Sequence, residues 1–216
     1  MALLMMDLDN TLIDRDAAFR EAVIVFLSEK ALPASDLGWV LKVDGSGFTP
    51  RPAVAAAMIG RFPGADALAV ERLLDDGGAG RVTLAPTVAA ALRAIPWPKA
   101  IVTNGRTVQQ HTKLVNSGLD RLADAWVISE EAGCRKPSPE IFQLAARRAG
   151  VPLDGAWMVG DSAGADVSGP VALGLTTVWV ANGREWTERA YRPTHVAADI
   201  DAALALVANS GPAVSA

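Results

Sequence analysis

Asp7 and Asp9 stand two residues apart behind an apolar run, Leu3-Leu4-Met5-Met6, and are followed by Asn10 and Thr11. The run has the character of a short strand buried on both faces. In extended chain, residues two apart leave the same side, roughly 7 Å from each other. Two carboxylates so placed lose hydration and repel, so the pair calls for a cation, a shared proton, or both. A plainer reading stays open: Asp7 ends the strand, and Asp9-Asn10 forms a turn that caps the next helix.

Three further stretches carry comparable chemistry. Thr103-Asn104-Gly105 offers a hydroxyl and backbone amides beside a helix start, which is an oxyanion-binding arrangement, although Thr103 could equally cap that helix. Lys136 precedes Pro137-Ser138-Pro139 at a helix N-terminus, where the helix dipole disfavours a cation. A lysine there makes sense facing a carboxylate or a phosphate, and an isolated solvated lysine is the alternative. Gly160-Asp161-Ser162-Ala163-Gly164-Ala165-Asp166 sets two carboxylates in a loop of small residues. Small residues let backbone approach a ligand closely, and carboxylate oxygens suit magnesium; helix capping is the rival role.

The elements that must position these residues follow from periodicity. Leu3–Met6, 99–103, 125–128, 156–159 and 176–180 read as short strands, with another short segment near Val196. Helices are predicted over 86–95, 107–117, 139–149 with Ser138 as cap, 167–173, and from about Asp199 to Val207, beyond which the last residues look frayed. Strand-helix alternation predicts an α/β fold, a three-layer Rossmann-like parallel sheet with helices on both faces. Between Asp14 and Gly80 no strand pattern occurs. There an amphipathic helix over 16–30, a short helix capped by Ser35 or Asp36, a third from Ala53 to Arg61 opened by Thr49-Pro50, and a fourth ending near Asp75 form an all-helical block. The expected organisation is therefore a core made of residues 1–14 and 81–216, interrupted by a helical insertion over 15–80.

In a doubly wound sheet, ligands bind beyond the carboxyl ends of the strands. Asp7 and Asp9, Thr103, Lys136, and Asp161 with Asp166 all follow such ends. Four carboxylates against Lys136 leave three uncompensated negative charges on one rim, and a phosphate dianion would add to them. A divalent cation makes such a rim tenable. Magnesium fits, because it takes few carboxylates and keeps places for water and phosphate. The combination points to phosphoryl transfer.

Asp7-Leu8-Asp9-Asn10-Thr11, Thr103, Lys136-Pro137, and Gly160-Asp161 through Asp166 together resemble the four ordered motifs of the haloacid dehalogenase-like hydrolase superfamily, in its phosphatase branch. The insertion resembles that family's C1-type helical cap. The resemblance implies that Asp7 is the nucleophile that forms an aspartyl-phosphate, and that Asp9 protonates the leaving group and then activates water. It implies that Thr103, Asn104 and Lys136 hold the phosphoryl group. Magnesium would be ligated by Asp7, the backbone carbonyl of Asp9 and Asp161, with Asp166 in support. Many relatives have glycine where this chain has Asn10; asparagine tolerates the same left-handed turn geometry. The alternatives are a phosphomutase, a 2-haloacid dehalogenase (a branch that lacks the second motif-one aspartate, here Asp9), and a phosphate-binding protein without turnover.

Bulk properties narrow the partners. Of 216 residues half are hydrophobic and a fifth charged, with a formal net charge of -4, so no basic excess exists to bind nucleic acid. The one cysteine, Cys134, has no partner for an internal disulfide. No apolar run approaches a membrane span, and the start lacks the basic region of a signal peptide. The expectation is a cytoplasmic protein, monomer or homodimer, acting on a small phosphorylated metabolite. Substrate choice would fall to the insertion, where Arg15, Phe19, Trp39, Lys42, the 44–48 loop and Arg51 are candidates. His111 and His195 belong to no cluster.

Overall fold

The computed structural model describes residues 2–210; the residues expected to fray at the end, 211–216, lie outside them. The chain divides into two compact units, one of Met1–Ile13 with Leu84–Ala216 and the other of Asp14–Thr83.

The first unit is an α/β layer structure around a six-stranded, all-parallel sheet in the order β3-β2-β1-β4-β5-β6. Its strands are β1 (Leu4–Met6), β2 (Lys99–Thr103), β3 (Ala125–Ile128), β4 (Trp157–Gly160), β5 (Thr176–Val180) and β6 (His195–Ala197). β1 lies at the centre because its residues are apolar on both faces. Met5 pairs in register with Ala100 on one side and Met158 on the other. Leu3, Met5, Val102, Val127 and Met158 share one buried cluster with Ile141, Phe142 and Ala145 of the helix Pro139–Ala149. Burying these side chains stabilises the layer by roughly 1.5–3 kcal/mol for each large one. The order also sets the functional end: the chain runs from β1 outward to β2 and β3 on one side and to β4, β5 and β6 on the other. The residues after β1 and β4 therefore meet at the switch point of the sheet.

In chain order the helices are α1 (Arg15–Glu29), α2 (Leu37–Asp44), α3 (Arg51–Arg61), α4 (Ala67–Asp76), α5 (Pro86–Ala94), α6 (Thr107–Ser117), α7 (Ser129–Ala132), α8 (Pro139–Ala149), α9 (Gly169–Ala172) and α10 (Ile200–Asn209). Gly118 and Gly150 end α6 and α8 in the left-handed conformation, which lets the last carbonyls be satisfied. The expected helix over 167–173 is instead a π-helical turn, Ala163–Ser168, running into α9. Its Ser162 caps the turn by accepting from Ala165 N. Ser138 occupies the cap position of α8, but its hydroxyl makes no cap hydrogen bond. The short helix α7 has no apolar periodicity to announce it.

The second unit holds α1 to α4 and its own core, built from Phe19, Val23, Phe26, Val40, Val54, Met58, Phe62, Val70 and Leu74. Asp36 does not cap α2 with its side chain; it accepts a hydrogen bond from Arg61 at 2.7 Å. Several residues expected to select substrate are committed inside this unit. Phe19 is 1% exposed. Trp39 packs edge-on against Phe62 and under the Arg61 guanidinium. Asp44 is buried in a two-point ion pair with Arg15, and Arg51 pairs with Asp75. Lys42 and Phe48 stay exposed.

Candidate active site

Asp7 follows β1 and donates its amide to Val159 O of β4 at 2.9 Å, which continues the strand pairing one residue past β1. Its carboxylate is thereby fixed beside the loop that follows β4. Oδ1 accepts from Lys136 Nζ at 2.6 Å, and Oδ2 accepts from Thr11 Oγ1 at 3.3 Å. The same ammonium donates to Asp166 Oδ1 at 2.6 Å. Asp166 Oδ2 in turn takes the amide of Ser162 at 2.9 Å. Asp7, Asp161 and Asp166 each offer a carboxylate oxygen within 4.8 Å of the others, and all three are buried.

Burial dominates the electrostatics. It pushes the Asp7 carboxyl up to about 8, opposed by Lys136 and reinforced by Asp166 and Asp161. Burial likewise raises Asp161 to about 7, with Asp166 adding to the shift and Arg184 and Lys136 opposing it. For Lys136, burial pulls the ammonium down, but Asp166 and Asp7 outweigh it and hold the group above its ordinary range. With Lys136 and Arg184 against three buried carboxylates, one negative charge is left uncompensated, and a divalent cation would favour the ionised form of all three. An all-oxygen donor set of this compactness fits magnesium, so the donors present match the ion expected from the sequence.

Asp9 takes a different place. Its carboxylate is not in that cluster; it faces α6, where Lys113 Nζ lies 2.7 and 2.8 Å from its two oxygens and Gln110 Nε2 donates to Oδ2 at 2.9 Å. The two motif-one carboxylates thus escape mutual repulsion by pairing with separate lysines. Asn10 has φ 55°, the left-handed turn anticipated for it.

Thr103, at the end of β2 and 1% exposed, has its oxygen hydrogen-bonded by Gln110 Nε2 at 2.6 Å. Asn104 clamps the backbone of Lys136 from both sides: Oδ1 accepts from Lys136 N at 2.9 Å and Nδ2 donates to Lys136 O at 3.0 Å. The Asn104 side chain is therefore spent on placing the lysine, and only its backbone is left to serve a phosphate. The neighbouring amides of Gly105 and Thr107 already donate to Ser129 Oγ and Glu130 Oε2, which narrows the oxyanion-binding expectation to the Thr103 hydroxyl and the Asn104 amide.

Two cations escaped the sequence reading. Lys113 is 2% exposed. Arg184, in the loop after β5, donates to Asp161 Oδ2 at 3.1 Å and to Asp161 O at 2.9 Å, with Trp179 Nε1 also donating to that carbonyl. With these included, four carboxylates face three cations, and the rim's deficit is one charge rather than three. Because Lys113 cancels Asp9, the remaining deficit sits in the cluster of Asp7, Asp161 and Asp166, and the case for a metal rests there. A signal for Lys113 was present: the buried stripe of α6 reads Gln109, Gln110, Lys113, Leu114, and an inward stripe of polar residues needs partners. For Arg184, in an irregular loop, periodicity offers none.

The second unit carries a half-open pocket of about 370 Å³ lined by residues that include Asp14, Arg15, Asp16, Arg20, Asp44 and Ser46, none of them from the carboxylate cluster. No helix among the described residues is long and apolar enough to cross a membrane.

Residues 133–203 match the HAD-hydrolase-like family. The chain is 40% identical over 93 residues to the glyceraldehyde 3-phosphate phosphatase of Methanopyrus kandleri, a stretch covering 43% of this chain and 40% of that protein. The chain thus matches about two fifths of the length of the curated relatives. Among solved structures, the magnesium-bound putative HAD-hydrolase YfnB of Bacillus subtilis superposes with a TM-score of 0.79 at 21% identity, covering 95% of this chain and 98% of that one. The L-2-haloacid dehalogenase of Xanthobacter autotrophicus superposes with a TM-score of 0.76 at 18% identity, covering 96% and 98%. These likenesses establish the fold.

Proposed function

We propose that the chain is a haloacid dehalogenase-like hydrolase and, within that superfamily, a magnesium-dependent phosphatase of small phosphate monoesters, working through an aspartyl-phosphate on Asp7. The observation that carries this reading is the buried triad of Asp7, Asp161 and Asp166 around the Lys136 ammonium at the sheet's switch point. A bound magnesium ion, held by Asp7 and Asp161 with Asp166 in support, would neutralise the phosphoryl oxygens and favour the ionised nucleophile.

Asp7 attacks phosphorus, and the ester oxygen leaves with a proton taken from Asp9. Lys136, locked by Asn104 and Asp166, neutralises charge on the transferring group, while the Thr103 hydroxyl donates to it. Water then attacks the aspartyl-phosphate, Asp9 accepts its proton, and the phosphorus bond to Asp7 breaks with its electrons returning to the carboxylate. Asp9 is the residue that separates this reading from dehalogenation, since a carbon-halogen bond needs no proton donor for its leaving group. The substrate is a small phosphorylated metabolite. The test is phosphate release from a panel of esters with magnesium and with chelator. Magnesium-dependent release is expected; a folded, magnesium-loaded chain that releases none from any ester overturns the proposal.

A further inference from the structure

Lys113 and Gln110 lie three residues apart on the buried stripe of α6, 2% and 1% exposed. Burying an ammonium is costly unless it is paired, and an apolar residue would fill this place without that cost. Lys113 instead grips both oxygens of Asp9, and Gln110 bridges Asp9 Oδ2 and Thr103 Oγ1 through one nitrogen. The direction of the Gln110 amide is dictated by the carboxylate, because a flipped amide would set its oxygen against Asp9. As it stands, Gln110 Oε1 is buried with no hydrogen-bond partner among the described residues. An orphaned buried acceptor works against stability, so the arrangement has another reason to exist. The backbone is also cleared for it: a Cβ on Gly105 would come within 2.8 Å of Gln110 Cγ and Cδ.

Two consequences follow. The Thr103 oxygen accepts from Gln110, which leaves the hydroxyl's own hydrogen to point elsewhere. The Asp9 carboxylate, held at both oxygens, cannot rotate without breaking the Lys113 contact. We propose that Lys113 and Gln110 are positioning residues that hold the Asp9 carboxylate in the orientation from which it takes the proton of the water attacking the aspartyl-phosphate. The proposal rests on the phosphatase reading and goes beyond it by assigning α6 to the second half of the reaction. In that step the water oxygen bonds to phosphorus, the bond from phosphorus to the Asp7 oxygen breaks with its electrons returning to Asp7, and the water proton passes to Asp9.

An aryl ester isolates this step, because p-nitrophenolate leaves without a proton donor whereas water always needs a base. The experiment is steady-state and acid-quench kinetics of Lys113→Met with p-nitrophenyl phosphate and magnesium. The expected result is that kcat and KM fall together by about tenfold or more, with kcat/KM within about twofold of wild type and phosphoenzyme at or above its wild-type level. Lys113→Arg restores most of kcat, and Lys113→Met adds no further loss in an Asp9→Asn background. A merely structural lysine would not produce this split. Unchanged kcat, a fall in kcat/KM at constant KM, or a further loss in the Asp9→Asn background each overturns the proposal. If Lys113→Met does not melt cooperatively, Gln110→Leu carries the test with the same expected pattern and the same overturning results. A wild-type chain without phosphate release overturns the phosphatase reading and this proposal together, whereas an active wild type with an unaltered Lys113→Met overturns this proposal alone.

Discussion

The carboxyl group of Asp166 occupies the space that a side chain on Gly160 would need. Gly160 ends β4, and the absence of its Cβ is what lets Asp166 fold back over the strand end to reach Lys136 Nζ with one oxygen and Ser162 N with the other. Gly160→Ala therefore forces Asp166 aside and takes a partner from a buried ammonium. Overpacking of this kind costs about 1–3 kcal/mol. Gly164, four residues on, faces open space: a methyl group added there would meet no atom within 4 Å. Urea denaturation should show a lowered midpoint for Gly160→Ala and little change for Gly164→Ala, with phosphate release lost only in the former. Equal behaviour of the two variants would contradict the packing account.

Asp7→Asn keeps the shape of the nucleophile and removes its charge. Turnover is expected to fall at least ~10³-fold, as when a nucleophile is lost elsewhere. The fold should persist, because burial already disfavours the Asp7 carboxylate in the metal-free chain. Asp9→Asn should also stop turnover of alkyl esters while leaving some phosphoenzyme formation from p-nitrophenyl phosphate. Phosphate release measured beside thermal melting checks both, and an active Asp7→Asn protein would remove Asp7 from its role.

Stability should depend on pH in a particular sense. Burial raises the folded-state carboxyls of Asp7 and Asp161 to about 8 and about 7, above their ordinary values. Between the ordinary carboxylate range and these raised values the folded chain holds protons that the unfolded chain has released, so stability falls as pH rises through that window. Lys136 is raised as well, so its contribution is present at neutral pH and lost only above the ordinary lysine range. In chelator, melting temperature should drop between pH 5 and pH 8.5, and magnesium, which favours the ionised carboxylates, should flatten the drop. Asp7→Asn should flatten it without magnesium. A slope in chelator that neither magnesium nor Asp7→Asn alters would show that these carboxyls do not titrate as described.

Legibility in the sequence differed by kind of residue. β2, β3 and β5 were readable to the residue because each is a short apolar run bounded by turns or helix signals, and a buried parallel strand has little other way to be written. The order of polar residues at strand ends was readable for the same reason: once the strands are placed, the residue that follows each one is placed too. What could not be read were contacts made across the sheet. Lys113 meets Asp9 over 104 positions of sequence and Arg184 meets Asp161 from an irregular loop, and no local period encodes either. Asn104 shows the same limit from the other side, since its type suits a phosphate-binding turn, yet its amide clamps the backbone of Lys136 thirty-two residues away.

The helical unit offers a contrast between two arginines. Arg15 binds Asp44 through both guanidinium nitrogens, Nη2 to Oδ1 at 2.8 Å, and stacks over Phe19; the side chains of the pair are 12% and 6% exposed. Arg51 meets Asp75 at 3.2 Å with 31% and 55% exposed. Removing one partner of a buried pair strands the other charge and costs about 3–5 kcal/mol, whereas an exposed pair contributes about 0–1 kcal/mol. Asp44 retains one donor, the amide of Gly47 at 2.9 Å, which places Arg15→Ala toward the lower end of its range. Arg15→Ala should therefore lower the denaturation midpoint far more than Arg51→Ala, and Asp44→Asn in the Arg15→Ala background should recover part of the loss by discharging the stranded carboxylate. Equal costs for the two arginine variants, or no recovery on Asp44→Asn, would mean that Asp44 finds solvent once Arg15 is gone.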